Sequence, residues 1–304
     1  MGFSLRRFDQ IPCFLMRNLF VSTTFMPDQT TLRRALDVCL ESGIRALEIG
    51  SNHCFEDSYD YLADYPFSYL VHNYFPIPEE DFVLNLASSD KDIRSRSIDH
   101  VKKSIDFCDE IGAKLYTFHP GFLTDPQGSN PSSDNYDFQW NETHLAKVDV
   151  SVAKSLMYDS IDKIVGYSTA KTVRIAIETE GSLHKRDHLL MQRPEEYEEL
   201  FDRYSPQTIG VNLNIGHLNL AAIAFNFKKD AFVDQVQDYI LAMELSHNDG
   251  IEDQHLPLQP NGWYWPLIYE ARFDHVYKIL EFRNIPIAEI KANIQMFHDK
   301  AQAV

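Results

Sequence analysis

The sequence predicts an α/β protein of the (β/α)₈ barrel class, folded as a single domain. Eight short runs rich in β-branched and aromatic residues alternate with longer amphipathic stretches. Such alternation implies parallel strands joined by right-handed helical crossovers. Side chains able to bind metal also recur at the ends of six successive runs. In addition, no glycine-rich phosphate loop follows the first run, which argues against a doubly wound dinucleotide-binding sheet.

The strands expected are Leu19–Ser22, Ala46–Ile49, Tyr69–Asn73, Lys114–Phe118, Arg174–Glu178, Gly210–Asn214, Leu241–His247 and Tyr277–Glu281. Helical patterns between them cover Gln29–Ser42, Ser95–Ile111, Val150–Thr169, Pro194–Tyr204 and Lys229–Tyr239. A count of eight suits a closed barrel, for which roughly 250 residues or more are usual; the chain has 304. Residues 1–18 read as an N-terminal extension and 19–304 as the barrel. The polar stretch Thr124–Asn141 reads as a long loop over the catalytic face, where the C-terminal ends of the strands converge.

Composition narrows the function classes. Hydrophobic residues make up 44% and charged residues 24%, ordinary for a soluble core. No apolar run approaches the ~20 residues of a membrane span, and the N-terminus makes a poor signal peptide. Cys13, Cys39, Cys54 and Cys108 form no C-x-x-C pair, which reads as a reduced, cytoplasmic protein and argues against a disulfide framework or a sulfur-ligated zinc. With 28 basic and 45 acidic residues the net charge is −17. Such a surface repels polyanions and argues against a nucleic-acid substrate.

The chemistry lies at the strand ends. The third strand ends in His72, the fourth in His119 and the fifth in Glu178, followed by Glu180. The sixth brings Asn214 and His217; the seventh brings His247, Asp249, Asp253 and His255; the eighth brings Glu281. A lone histidine at a strand end is ordinarily a rim residue satisfied by hydrogen bonds, and Asp253–His255 alone could be a solvated turn. Glu178 and Glu281 resist that reading, because each follows an apolar run where an unpaired carboxylate would be costly. Imidazole and carboxylate together suit Zn²⁺ or Mn²⁺, with Fe²⁺, Co²⁺ or Mg²⁺ as alternatives. Opposed carboxylates also suit proton transfer. Trp263, Tyr264 and Trp265 could stack on a sugar ring or simply pack the rim. Lys185, Arg186 and Arg193 could receive a phosphate or remain solvated.

The segments H-P-G at His119–Gly121, the Glu178 strand, N-I-G-H at Asn214–His217 and H-N-D-G-x-x-D-x-H-L-P-L at His247–Leu258 carry a resemblance. From about the second strand to the eighth the chain resembles the xylose isomerase-like TIM-barrel superfamily. That superfamily includes sugar and sugar-phosphate isomerases and epimerases, and also endonuclease IV. The resemblance implies a mononuclear site at Glu178, Asn214, His247 and Glu281, with both glutamates transferring protons. The trinuclear zinc site of endonuclease IV would add His72, His119, His217, Asp253 and His255. One departure stands out: Asn214 occupies a position where the family usually has Asp.

The implied activity is a metal-dependent sugar or sugar-phosphate isomerase or epimerase. It would stabilise an enediolate with one divalent ion, while His217, Lys185 and Trp263 contact the substrate. The alternatives are a di- or trinuclear zinc phosphoester hydrolase and a barrel that has lost activity and serves binding. One to three ions per chain are expected, with a small sugar or phosphorylated substrate and no membrane partner. A homo-oligomer is compatible with the superfamily.

Overall fold

The structure is a computed structural model and describes residues 18–80, 82–125, 148–181 and 189–302. Eight parallel strands close in sequence order into a barrel: β1 Leu19–Ser22, β2 Ala46–Ile49, β3 Ser68–His72, β4 Leu115–Phe118, β5 Arg174–Glu178, β6 Gly210–Asn214, β7 Ile240–Leu245 and β8 Tyr277–Leu280. The ring is sealed by β1 against β8, with Phe20 opposite Ile279. The helices are α1 Leu32–Glu41, α2 Lys91–Ile111, α3 Val150–Ser168, α4 Pro194–Arg203, α5 Ile215–Phe225, α6 Lys229–Val236, α7 Trp265–Ile268 and α8 Ile287–Ala301.

Local chemistry sets the boundaries where they depart from expectation. Thr31 caps α1 by accepting from the Arg34 amide, so the helix starts at Leu32 and leaves Gln29 outside, in a left-handed conformation. Asp90 accepts from the amides of Asp92 and Ile93, which starts α2 four residues earlier than expected. β7 ends at Leu245, short of His247, and β3 stops at His72 because Asn73 turns left-handed. The N-terminal extension up to residue 17 and positions 126–141 of the expected catalytic-face loop lie outside the described residues, as do Lys185 and Arg186.

Two apolar layers enclose the strands. The larger lies between barrel and helices. The smaller fills the barrel floor with Phe20, Leu70, Leu115, Ala176, Ala242 and Ile279, and Ala46 packs against it. Side chains on a strand repeat their direction every second residue. Two positions beyond each floor residue come Ser22, Glu48, His72, Thr117, Glu178, Glu244 and Glu281, all buried. An apolar floor thus carries a polar storey directly above it, with four carboxylates in one ring.

Candidate metal centre

Strand ends aim the first group of functional side chains. Glu178 ends β5, with its Oε2 atom 3.6 Å from the Nε2 atoms of both His72 and His119. Two ligands about 2.1 Å from a tetrahedral ion are roughly 3.4 Å apart, so this spacing suits a shared cation. That Glu178 oxygen is buried without a hydrogen-bond partner. His119 is oriented from behind by Glu180, whose Oε1 lies 2.7 Å from Nδ1, an arrangement that turns Nε2 towards the cleft. His72 is held likewise by Thr117, 2.8 Å from its Nδ1.

A second cleft lies beyond β6. Asp253 Oδ2 is 3.2 Å from His217 Nε2 and 3.0 Å from His255 Nε2. Asp253 Oδ1 is buried and unpartnered. The His217 Nδ1 atom is fixed by the Thr179 carbonyl at 2.8 Å. Gly181 makes this placement possible, because a Cβ there would come within 2.7 Å of the His217 Cα. His255 adopts a left-handed backbone at φ 44°, rare outside glycine and asparagine, which aims its ring into the cleft. Its Nδ1 lies 3.1 Å from Glu281 Oε2, off the direction of a hydrogen bond. Both clefts place imidazole nitrogen and carboxylate oxygen within 4.8 Å of one another. That donor set fits a borderline divalent ion such as Zn²⁺ or Mn²⁺.

Between the clefts the arrangement differs. The Asn214 side-chain amide points at three carboxylates: Glu178 at 3.0 Å, Glu244 at 2.9 Å and Glu281 at 3.5 Å. Its oxygen instead caps α5, accepting from the His217 amide at 3.1 Å. An N–H₂ group cannot ligate a metal, so the residues do not fit an ion at this central position.

His247 does not join the cluster. It is half-buried, exchanges backbone hydrogen bonds with Leu256 and sets its ring against Tyr264. The cause is strand parity. Ala242, Glu244 and Ser246 follow one another at every second position towards the interior, and His247 falls out of phase. Of the nine residues expected around metal, the structure gathers His72, His119, Glu178, Asn214, His217, Asp253, His255 and Glu281 and leaves His247 outside. It adds Glu48 and Glu244, which the sequence reading missed.

The carboxylates divide electrostatically. Burial alone would raise Glu178, but His119, His217 and His72 hold its pKa well below the ordinary range. Glu281 is likewise lowered against burial, chiefly by His255. Glu48 is pushed well up by burial and by the charge of Glu281. Burial and then Glu178 push Glu244 up. One storey thus holds two carboxyl groups whose pKa is lowered, Glu178 and Glu281, and two whose pKa is raised, Glu48 and Glu244. Among the histidines, burial drives His72 down to about 4, whereas Asp253 and Glu281 lift His255 to about 9 against burial.

The remaining candidates sit elsewhere. Tyr264 and Trp265 are buried, the latter donating to the Gln259 carbonyl and stacking on Tyr269. One face of Trp263 is covered by the Lys229 ammonium at 3.9 Å. Arg193 lies beside Glu195 and Glu196 at the start of α4.

A protein from Methanocaldococcus jannaschii, the uncharacterised MJ1614, is 25% identical over 78% of this chain and 80% of its own length. A probable endonuclease 4 from Aquifex aeolicus is 42% identical, but over only 13% of this chain and 14% of that protein. Among solved structures, a D-tagatose 3-epimerase-like protein superposes with a TM-score of 0.72 at 18% identity, covering 94% of this chain and 98% of its own. An L-ribulose 3-epimerase gives 0.61 at 10% identity, covering 94% and 92%. At such identities these likenesses establish the barrel fold. The family model described as a xylose isomerase-like TIM barrel matches residues 36–299, and the chain belongs to that family.

Proposed function

We propose that the protein is a divalent-metal-dependent isomerase or epimerase acting on a small sugar or sugar phosphate. What carries this reading is one buried ring of four carboxyl groups with opposed pKa shifts, lowered for Glu178 and Glu281 by the histidines beside them and raised for Glu48 and Glu244 by burial. Environments that push like groups apart in this way separate base from acid at one pH. The structural likeness to sugar epimerases is consistent with it.

His72, His119 and Glu178 would hold one ion, and His217, Asp253 and His255 another. When bound, such an ion supplies positive charge that acidifies a C–H bond beside a carbonyl. Glu281 is free of that ligand duty, and we assign it the role of first proton acceptor. Glu178, on the other side of the Asn214 amide, would steady or return the proton. Glu180 and Thr117 keep the histidine rings in place, and the ring of carboxyl groups is buried above the apolar floor. Arg283 lies two positions after Glu281, is half-buried and makes no ion pair among the described residues. It is the cation we assign to a phosphorylated substrate.

The test is solvent exchange. Metal-loaded protein incubated with ketopentoses, ketohexoses and their phosphates in D₂O should place deuterium at a carbon next to the carbonyl, read by proton NMR. Glu281→Gln should slow exchange by about 10²–10⁴-fold. No exchange across the panel, together with release of phosphate from phosphoesters, would replace this reading with the second one. That second reading, a phosphoester hydrolase, is favoured by the two histidine clefts, since paired ions suit in-line displacement at phosphorus.

A further inference from the structure

We infer that Asn214 acts as a built-in substitute for a cation. Its amide fills the space between Glu178, Glu244 and Glu281, confines divalent ions to the two flanking clefts, and is the single group that keeps a third ion out. This builds on the metal assignment above and is independent of the reaction catalysed.

The orientation of the Asn214 amide is fixed by the helix it caps. An asparagine carries an acceptor at one end and two donors at the other. The His217 backbone N–H, third in α5, is a donor that needs an acceptor, and Asn214 Oδ1 stands 3.1 Å from it. Turning the amide over would set two donors face to face and cost the helix its cap, about 1 kcal/mol. The N–H₂ end is thereby committed to the interior. There it meets Glu244 Oε2 at 2.9 Å, Glu178 Oε1 at 3.0 Å and Glu281 Oε2 at 3.5 Å. The first two are the lengths of N–H···O hydrogen bonds, and the third is a longer polar contact. All three are far longer than the ~2.0–2.2 Å of a metal–oxygen bond.

The amide also accounts for how three buried carboxylates can adjoin. Like charges brought together in a dry site are strongly unfavourable unless donors or cations intervene. Asn214 supplies donors, and Asn212 adds another to Glu244 at 2.6 Å. With both of its oxygens engaged by amides, Glu244 is a poor ligand. His72 Nδ1, near it, is already bonded to Thr117. The grouping of Glu48, His72 and Glu244 is therefore closed to an ion by the same amides, although its atoms are near enough together.

A carboxylate at position 214 would reverse this. One oxygen would keep the cap on His217, since aspartate caps as well as asparagine. The other would face Glu178 and Glu281 as a third anionic oxygen, with only a cation able to satisfy the set. A single atom exchange, N–H₂ for O, thus separates a hydrogen-bonded hub from a cation site.

The experiment counts ions. Chelator-treated protein, with or without substitution, is reloaded with Zn²⁺ or Mn²⁺, desalted and assayed by plasma mass spectrometry. Wild-type protein should hold no more than two ions per chain, losing one in His119→Ala and one in His255→Ala. Asn214→Asp should hold one more than wild type. In case the added carboxylate unfolds the metal-free protein, Asn214→Asp combined with Glu244→Gln keeps the number of carboxyl groups in the hub unchanged and should also gain one ion. Three ions in wild type, or no gain in either variant, would overturn the inference. A wild type with no ions but a gain in the variants would leave standing the exclusion of an ion by Asn214 and overturn the confinement of ions to the clefts.

Discussion

His53 and His100 are buried away from both clefts, and pH acts on each with a definite sign. The His53 ring lies between the Thr30 carbonyl and the Thr23 hydroxyl, and burial lowers its pKa to about 4. Burial does the same to His100, helped by Lys103 and Arg96. An unfolded histidine takes its proton near pH 6.5. Between pH 6.5 and 4 the unfolded chain therefore binds more protons, and stability falls as pH falls through that window. Each histidine contributes on the order of 1–3 kcal/mol to this loss. Urea unfolding of chelated protein should show its midpoint dropping steadily from pH 7 to 4.5, and a level midpoint would contradict the burial of both rings. At the same scale lies what the sequence revealed of the site. Glu178, Glu281, His72 and His119 were legible because they end apolar runs, where such residues are conspicuous. Glu48 and Glu244 were hidden inside the strands A-L-E-I and A-M-E-L, though counting by twos from the floor residues would have found them. The same count excludes His247. The orientation of the Asn214 amide was not legible, since it depends on a backbone N–H three residues on.

Helices and strands enter function by how firmly they hold the rim. The α2 helix starts at the Asp90 cap, an exposed residue that is none of the cleft ligands, so Asp90→Ala should cost about 1 kcal/mol in denaturant unfolding and leave the ion count unchanged. Gly181 is the opposite case. A methyl group there would meet His217 Cα at 2.7 Å and its Cβ at 3.0 Å, pressing β5 from α5. Gly181→Ala should destabilise by about 1–3 kcal/mol and also lower affinity for the ion at His217, read by calorimetric titration. A variant that loses stability without losing affinity would mean that the loop yields and the ring does not. All eight strands were legible from their apolar runs, four with the expected bounds and four with ends shifted by one or two residues. The α5 helix, I-G-H-L-N-L-A-A-I-A-F, was not: it is apolar nearly all round and lacks the one-sided period that marks a surface helix.

Viewed whole, the molecule is a closed barrel whose apolar floor lies below a ring of charge, within a chain of net charge −17. Such a surface opposes a polyanion, and a cation bound in a cleft offsets only a small part of it. Duplex DNA should show no binding by fluorescence anisotropy at micromolar protein and 0.15 M salt, whereas small phosphorylated sugars should bind with an affinity that requires metal. Micromolar binding to DNA would point instead to a local basic groove and to the hydrolase reading. Among the described residues no helix is long and apolar enough to cross a membrane.

The measurement that bears most directly on the account is the anomalous diffraction of crystals soaked with Mn²⁺ or Zn²⁺, recorded above and below the metal edge. The account predicts density among His72, His119 and Glu178 and among His217, Asp253 and His255, with none between Glu178, Glu244 and Glu281. A peak at that central position with Asn214 in place, or no peak in either histidine cleft, would contradict it.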